Sequence, residues 1–203
     1  MIDSWWIKQL RRPLKRLAEQ TIRLGVTANQ VTVCSFMIGL LAVPALANEY
    51  YWWALVAILL NRLGDGLDGA IARLQGATDA GGYLDISLDF IFYSAVPFGF
   101  LLADPLQFGV AAGLLMLTFM GTGATFLAFA VMAAKRGIDN PKYPNKSLHY
   151  MGGLTEGFET IAVFVLLCLL PQYFNPIAYA FALLCWMTAV SRLYAGYCTL
   201  ESD

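Results

Sequence analysis

Four aspartates carry the chemistry that is legible in this chain. Asp65 and Asp68 stand three residues apart, and Asp85 and Asp89 four apart, in the stretch LGDGLDGAIARLQGATDAGGYLDISLDF at residues 63–90. On helices both spacings put the two carboxylates of a pair on one face, so two helix ends can aim four carboxylates at one point. Such a gathering is costly unless cations neutralise it. All-oxygen ligation suits a hard divalent ion, Mg²⁺ or Mn²⁺, and two such ions side by side are a recurrent solution for phosphoryl chemistry. Asp89 lies furthest along the second element and can serve as general base as well as ligand. Arg73 is the one cation inside the core of the segment, placed to neutralise a phosphate. Glycines at 64, 66, 69, 76, 81 and 82 keep bulk low where a ligand or a neighbouring helix comes close. Asp79 reads as an N-cap or turn residue.

The elements that position these acids are greasy. Of the 203 residues, 59% are hydrophobic and only 13% charged, against about a quarter charged in soluble domains. Long apolar stretches recur, and the chain reads as a single all-α, polytopic membrane domain over residues 1–203. Six spanning helices are expected, at 31–47, 50–74, 81–102, 106–134, 153–170 and 176–198. Residues 61–90 form the catalytic segment between the second and third. With six spans every Lys and Arg falls on one side: Lys8, Arg11, Arg12, Lys15, Arg16, Arg23, Arg62, Arg73, Lys135, Arg136, Lys142, Lys146 and Arg192. That places both termini and the aspartates on the cytoplasmic face. No cleaved leader is expected, since the first apolar run follows a basic segment.

Residues 4–22 form an amphipathic helix. Trp6, Leu10, Leu14 and Leu17 recur at helical spacing with basic residues on the other face, as suits a helix lying on an anionic leaflet. Pro13 bends or restarts it. A nucleic-acid role is not expected. Cys34, Cys168, Cys185 and Cys198 have no ligand-like spacing and read as small hydrophobes.

Asp65-x-x-Asp68-Gly69-x-x-Ala72-Arg73, followed after seven residues by Gly81-x-x-x-Asp85-x-x-x-Asp89, resembles the signature of the CDP-alcohol phosphotransferases, and all eight specified positions are filled. The segment VTANQVT at 26–32 resembles the stretch that precedes the first span in that family, with Ala28 where proline is usual. The resemblance implies transfer of a phosphatidyl, or other substituted phosphate, group from a CDP-linked donor to an alcohol, with release of CMP. It implies that Asp65, Asp68, Asp85 and Asp89 hold two divalent cations, and that Asp89 deprotonates the incoming hydroxyl. It also implies that Gly69, Arg73 and Gly81, with Thr78 and Asn29, contact the CDP moiety. The expected partners are CDP-diacylglycerol, a small alcohol and membrane lipids, in a homodimer of the bacterial inner membrane.

The acceptor stays open between glycerol phosphate, serine, inositol phosphate, amino-alcohols and polyols. Arg192, inside an apolar helix, is the strongest candidate for an acceptor phosphate, with snorkelling as its alternative. Lys135 and Lys146 are further candidates, although Lys135 and Arg136 also suit a helix end. Glu156 and Glu159 share a face and fit a cationic or neutral alcohol, or else a helix N-terminus. His149 is expected at the interface. Glycerol 3-phosphate is favoured as a common bacterial acceptor, and the two glutamates argue the other way. A transporter with carboxylates along a path, or an inactive lipid-binding scaffold, are the competing readings.

Overall fold

The computed structural model describes residues 2–138 and 153–201, with side chains described from Pro13 onward. Lys142, Lys146 and His149 lie outside the described residues, as do the side chains of Trp6 and Leu10. Among the described residues the chain is helical without strands: α1 (Ile2–Arg23), α2 (Ala28–Leu40), α3 (Ala42–Ala47), α4 (Tyr51–Gln75), α5 (Asp79–Ala103), α6 (Pro105–Arg136), α7 (Gly157–Leu169) and α8 (Phe174–Glu201), with a short 3₁₀ turn at Pro171–Tyr173.

Among the described residues four stretches are long and apolar enough to cross a membrane: Ala28–Ala47, Asp79–Ala103, Pro105–Arg136 and Pro171–Glu201. The sequence reading expects six. The fifth, α4, is 25 residues long, but Arg62, Asp65, Asp68 and Arg73 crowd its C-terminal half. The sixth, α7, is apolar but only 13 residues long, about 20 Å at 1.5 Å per residue. It starts at Gly157 rather than at 153 because Glu156 caps it.

Local chemistry sets the other boundaries. Thr27 and Gln30 form a capping box, so α2 begins at Ala28. The first span is two helices. Pro44 has no N–H to offer the carbonyl of Leu40, and the chain tightens at Leu41, whose N–H turns to Ile38 O at 3.1 Å. The cap of α5 is Thr78 and not Asp79: its hydroxyl accepts from Gly81 N at 3.1 Å. Asp79 instead occupies the first turn, where a negative charge meets the positive end of the helix. Pro13 leaves α1 continuous.

The core is a run of aromatic rings that ties α5, α6, α7 and α8 together. Phe100 lies 4.5 Å from Phe174, and Phe108 lies 5.0 Å from Phe174. Phe164 meets both Phe92 and Phe119 edge-on. The small residues of α6 serve packing within the chain: Gly121 faces Trp186 of α8, and Gly123 faces Phe90 of α5. All four cysteines are free, with Cys168 and Cys185 buried.

Near the aspartates the helices cross tightly. Leu14, Ala18 and Ile22 of α1 pack with Ala70 and Ile71 of α4, and Leu14 lies over Gly66. Gly39 of α2 faces Asn61 and Phe92. At the α2–α4 crossing a Cβ on Gly64 would be driven into the Ser35 hydroxyl and stand 2.5 Å from the Ser35 Cβ. Adding a methyl there is expected to cost about 1–3 kcal/mol by overpacking, more than the roughly 1 kcal/mol that Gly→Ala gains in helix propensity. Gly64→Ala should therefore lower the thermal midpoint of the purified protein. Pairing it with Ser35→Gly should recover most of the loss, and equal losses in the single and double variants would show that this crossing is not the cause.

Candidate functional site

The two aspartate pairs do meet. The C-terminal half of α4 carries Asp65 and Asp68, and the N-terminal half of α5 carries Asp85 and Asp89. All four line one small cavity of about 10 Å³ together with Thr32, Ser35, Asn61 and Arg62, room for roughly a single water-sized sphere. Asp65, Asp68 and Asp85 each bring one carboxylate oxygen within 4.8 Å of the others. Asp68 is only 5% exposed. Its Oδ2 is buried without a hydrogen-bond partner among the described residues. A buried carboxylate oxygen left unpaired is costly, and its position facing two more carboxylates fits a hard cation bound through oxygen.

Asp89 is arranged differently. Its Oδ1 accepts from Arg62 Nη2 at 2.5 Å, while Arg62 Nη1 stands 3.5 Å from Asp65 Oδ2. The cation inside the core of the segment is therefore Arg62, whereas Arg73 is exposed. Arg73 folds its guanidinium back over Gly69, 3.3 Å from where a Cβ would be. Arg62 comes with a supporting cast. Asn61 Oδ1 accepts from its Nε and Nη2, and Tyr93 Oη accepts from Nη1. Asn61, itself buried, donates to the carbonyl of Ser35 at 3.1 Å. Sequence reasoning overlooked Arg62, Asn61 and Tyr93. The available signal was an arginine inside an apolar helix, one turn before Asp65.

Asn29, Thr78 and Gly81 lie close together. A Cβ on Gly81 would lie 3.0 Å from Asn29 Oδ1 and 3.1 Å from Thr78 Oγ1. Gly69 and Arg73 form a second small group one to two turns beyond Asp65.

The basic and acidic candidates further along separate into distinct roles. Arg192 is buried between α6 and α8, so it does not snorkel. Its Nη1 donates to Thr122 O at 3.4 Å and its guanidinium lies 5.6 Å from the centre of the Phe126 ring. The segment before α7 closes over it, with a Cβ on Gly153 falling 3.1 Å from Arg192 Nη2. Thr155, buried beside it, donates its N–H and its hydroxyl to Thr188 Oγ1. Lys135 is exposed at the end of α6, and Arg136 binds the carbonyl of Leu200 at the end of α8. Glu156 and Glu159 are occupied in a reciprocal cap. Glu156 accepts from Gly153 N at 3.3 Å, and Glu159 accepts from Glu156 N at 3.1 Å. Gly157 then passes Tyr93, a Cβ there falling 3.2 Å from its hydroxyl.

The chain is similar to proteins of known kind. The inner membrane protein YnjF of Escherichia coli is 55% identical over 199 residues, covering 96% of this chain and 97% of that one. Archaetidylinositol phosphate synthase of Pyrococcus horikoshii is 26% identical, covering 95% of each. The fold is shared with phosphatidylinositol phosphate synthase of Mycobacterium tuberculosis. With CDP-DAG bound, that structure superposes at TM-score 0.76 and 20% identity over 92% of this chain and 94% of that one. In complex with manganese and citrate it superposes at TM-score 0.74 and 20% identity over 91% of this chain and 88% of that one. The CDP-alcohol phosphatidyltransferase family model matches residues 25–192, which takes in both aspartate pairs, the Asn29–Thr78–Gly81 group and Arg192. The chain belongs to the CDP-alcohol phosphatidyltransferase family.

Proposed function

We propose that this chain transfers the phosphatidyl group of CDP-diacylglycerol to a small phosphorylated alcohol and releases CMP. The observation that carries this reading is the convergence of the four aspartates of the family motif on one cavity, with a buried, unsatisfied oxygen on Asp68. The four carboxylates would hold two divalent ions, Mg²⁺ or Mn²⁺, which when bound stabilise negative charge on the donor pyrophosphate and on the departing CMP. The Mycobacterium tuberculosis neighbour, solved with CDP-DAG and with manganese, supports both choices.

The chain's own residues supply the rest. Asn29, Thr78, Gly69, Arg73 and Gly81 hold the CDP moiety, the glycines admitting it where a side chain would block the approach. Asp89 takes the proton of the acceptor hydroxyl on a carboxylate oxygen. The acceptor oxygen then bonds to the phosphatidyl phosphorus as the bond from that phosphorus to the CMP oxygen breaks. Arg62 keeps Asp89 from turning away. A low-water cavity at the end of α4 and α5 favours transfer over hydrolysis.

For the acceptor we infer an alcohol carrying a phosphate, glycerol 3-phosphate or inositol phosphate, bound near Arg192. A buried guanidinium in an apolar helix suits a dianion. The glutamates that would argue for a cationic acceptor are engaged in capping α7. The relative named archaetidylinositol phosphate synthase favours the same class. Lys135 is a peripheral candidate.

The same reading places the chain in a bacterial inner membrane with six passes, α4 and α7 included. Both termini and the carboxylate cavity face the cytoplasm and α1 lies on the leaflet. The Escherichia coli relative's name and the one-sided Lys and Arg distribution support this. A homodimer is part of the proposal. The apolar groove of about 680 Å³ between α5 and α6, lined by Tyr83, Ile86, Phe90, Met120 and Leu127, is the surface proposed to pack against a second copy.

The test is CMP release by purified protein from CDP-diacylglycerol with Mn²⁺ or Mg²⁺, with acceptors added singly. Acceptor-dependent release that stops on chelation and returns with metal is the expected result. Asp89→Asn should lower that rate by about 10²–10⁴-fold, the usual contribution of a general base. Release without dependence on any acceptor, or full activity in the variant, would sink the reading. Arg192→Met should raise the acceptor KM by about tenfold or more, the scale of one charge-assisted contact, with the donor KM unchanged. A shift in donor KM alone would remove Arg192 from the acceptor pocket.

A further inference from the structure

The four carboxylates do not stand alike toward the nearby charge. Asp65, Asp68 and Asp85 close on one another within 4.8 Å, whereas Asp89 gives an oxygen to Arg62 at 2.5 Å, with Asp65 farther from the same guanidinium at 3.5 Å. Acids alone do not hold that arginine. Its Nε and Nη2 donate to Asn61 Oδ1 at 3.1 and 3.0 Å, and its Nη1 donates to Tyr93 Oη at 3.4 Å. Its guanidinium carbon lies 5.6 Å from the ring centres of both Phe92 and Tyr93. Asn61 is fixed in turn by Ser35 O. Neutral groups on α4 and α5 therefore hold this charge alongside the acids.

A fixed positive charge changes how many divalent ions the centre can hold. Three carboxylates attract one divalent ion and keep a negative charge afterwards. Asp89 and Arg62 together carry no net charge and offer a second ion little attraction. Loading two ions on four carboxylates and one guanidinium would leave the centre positive, unless a bound pyrophosphate contributes its own negative charges. We propose that Arg62 is a positioning residue and built-in counter-ion that divides the centre: one tight divalent site at Asp65, Asp68 and Asp85, and a weak one at Asp89 that fills only together with a nucleoside diphosphate. This rests on the metal-centre reading above and assigns its order of loading.

The experiment is Mn²⁺ titration of the purified full chain, followed by electron paramagnetic resonance of free Mn²⁺, with and without CDP. The wild-type chain should bind one Mn²⁺ alone and two with CDP. Arg62→Met should bind the second ion without CDP, tightened on the order of tenfold or more, the effect of a unit charge a few ångströms from a divalent ion even through water. Arg62→Lys should return the single-ion behaviour. Two equal ions in the wild-type chain without CDP, or one ion still in Arg62→Met, would overturn the proposal. Should Arg62→Met not fold, Asp89→Asn decides. It should weaken the tight ion less than Asp65→Asn does, because it removes a neighbouring charge whereas Asp65→Asn removes a ligand oxygen as well. Equal weakening in both would refute the division. No Mn²⁺ bound by the wild-type chain under any condition would refute the metal-centre reading itself.

Discussion

Carboxylates repel, and this chain brings four of them to one small cavity among apolar helices. The mutual repulsion of Asp65, Asp68, Asp85 and Asp89 is the constraint to which the surrounding structure answers. Helices bearing like charges at their contact stay together only if something else draws them in. Here it is the close crossing of α2 and α4 at Ser35 and Gly64, the seat of Gly39 against Asn61 and Phe92, and the aromatic core beyond. That packing fixes the backbone, and the fixed backbone holds the acids at a separation they would not choose. Arg62 relieves part of the repulsion at the Asp89 end, and the rest is left as appetite for cations.

The aspartates were readable because their message is local. Spacings of three and four residues on helices place side chains on one face without knowledge of the fold, and the glycines among them mark a close approach. The order of the long apolar helices was legible for the same reason. What escaped is relational. Arg62 belongs to the acid centre only because α5 returns to lay Asp89 and Tyr93 beside it, 27 and 31 residues further on. Arg73, which the motif brings forward, is exposed and lies back over Gly69 of its own helix. The one local hint is that Arg62 follows an apolar run and stands one turn before Asp65.

The glutamates give the converse lesson. Glu156 and Glu159 look like a charged pair free to choose a ligand, yet the first turn of α7 has bare N–H groups that must be met. The box they form is the helix N-terminus that the sequence offers as their alternative role, set at Glu156 and not at 153. Thr27 with Gln30 forms another at the start of α2. Boundaries, more than elements, are where sequence and structure part.

The aromatic cradle around Arg62 has a consequence for how the protein meets the ionic content of its surroundings. Dissolved salt weakens attractions between charges that water can reach, over about 8–10 Å at physiological strength, and has much less purchase on charges walled off by rings and backbone. Arg62, its side chain 17% exposed between Phe92 and Tyr93, belongs to the second kind. Lys15, Arg16 and Arg23 on the open side of α1 belong to the first. One molecule thus carries two electrostatic systems of different temperament. The outer one is tuned by the medium, as suits loose attachment to a charged surface. The inner one is insulated from it, so that the charge balance around the aspartates keeps its value as the salt around the molecule rises and falls.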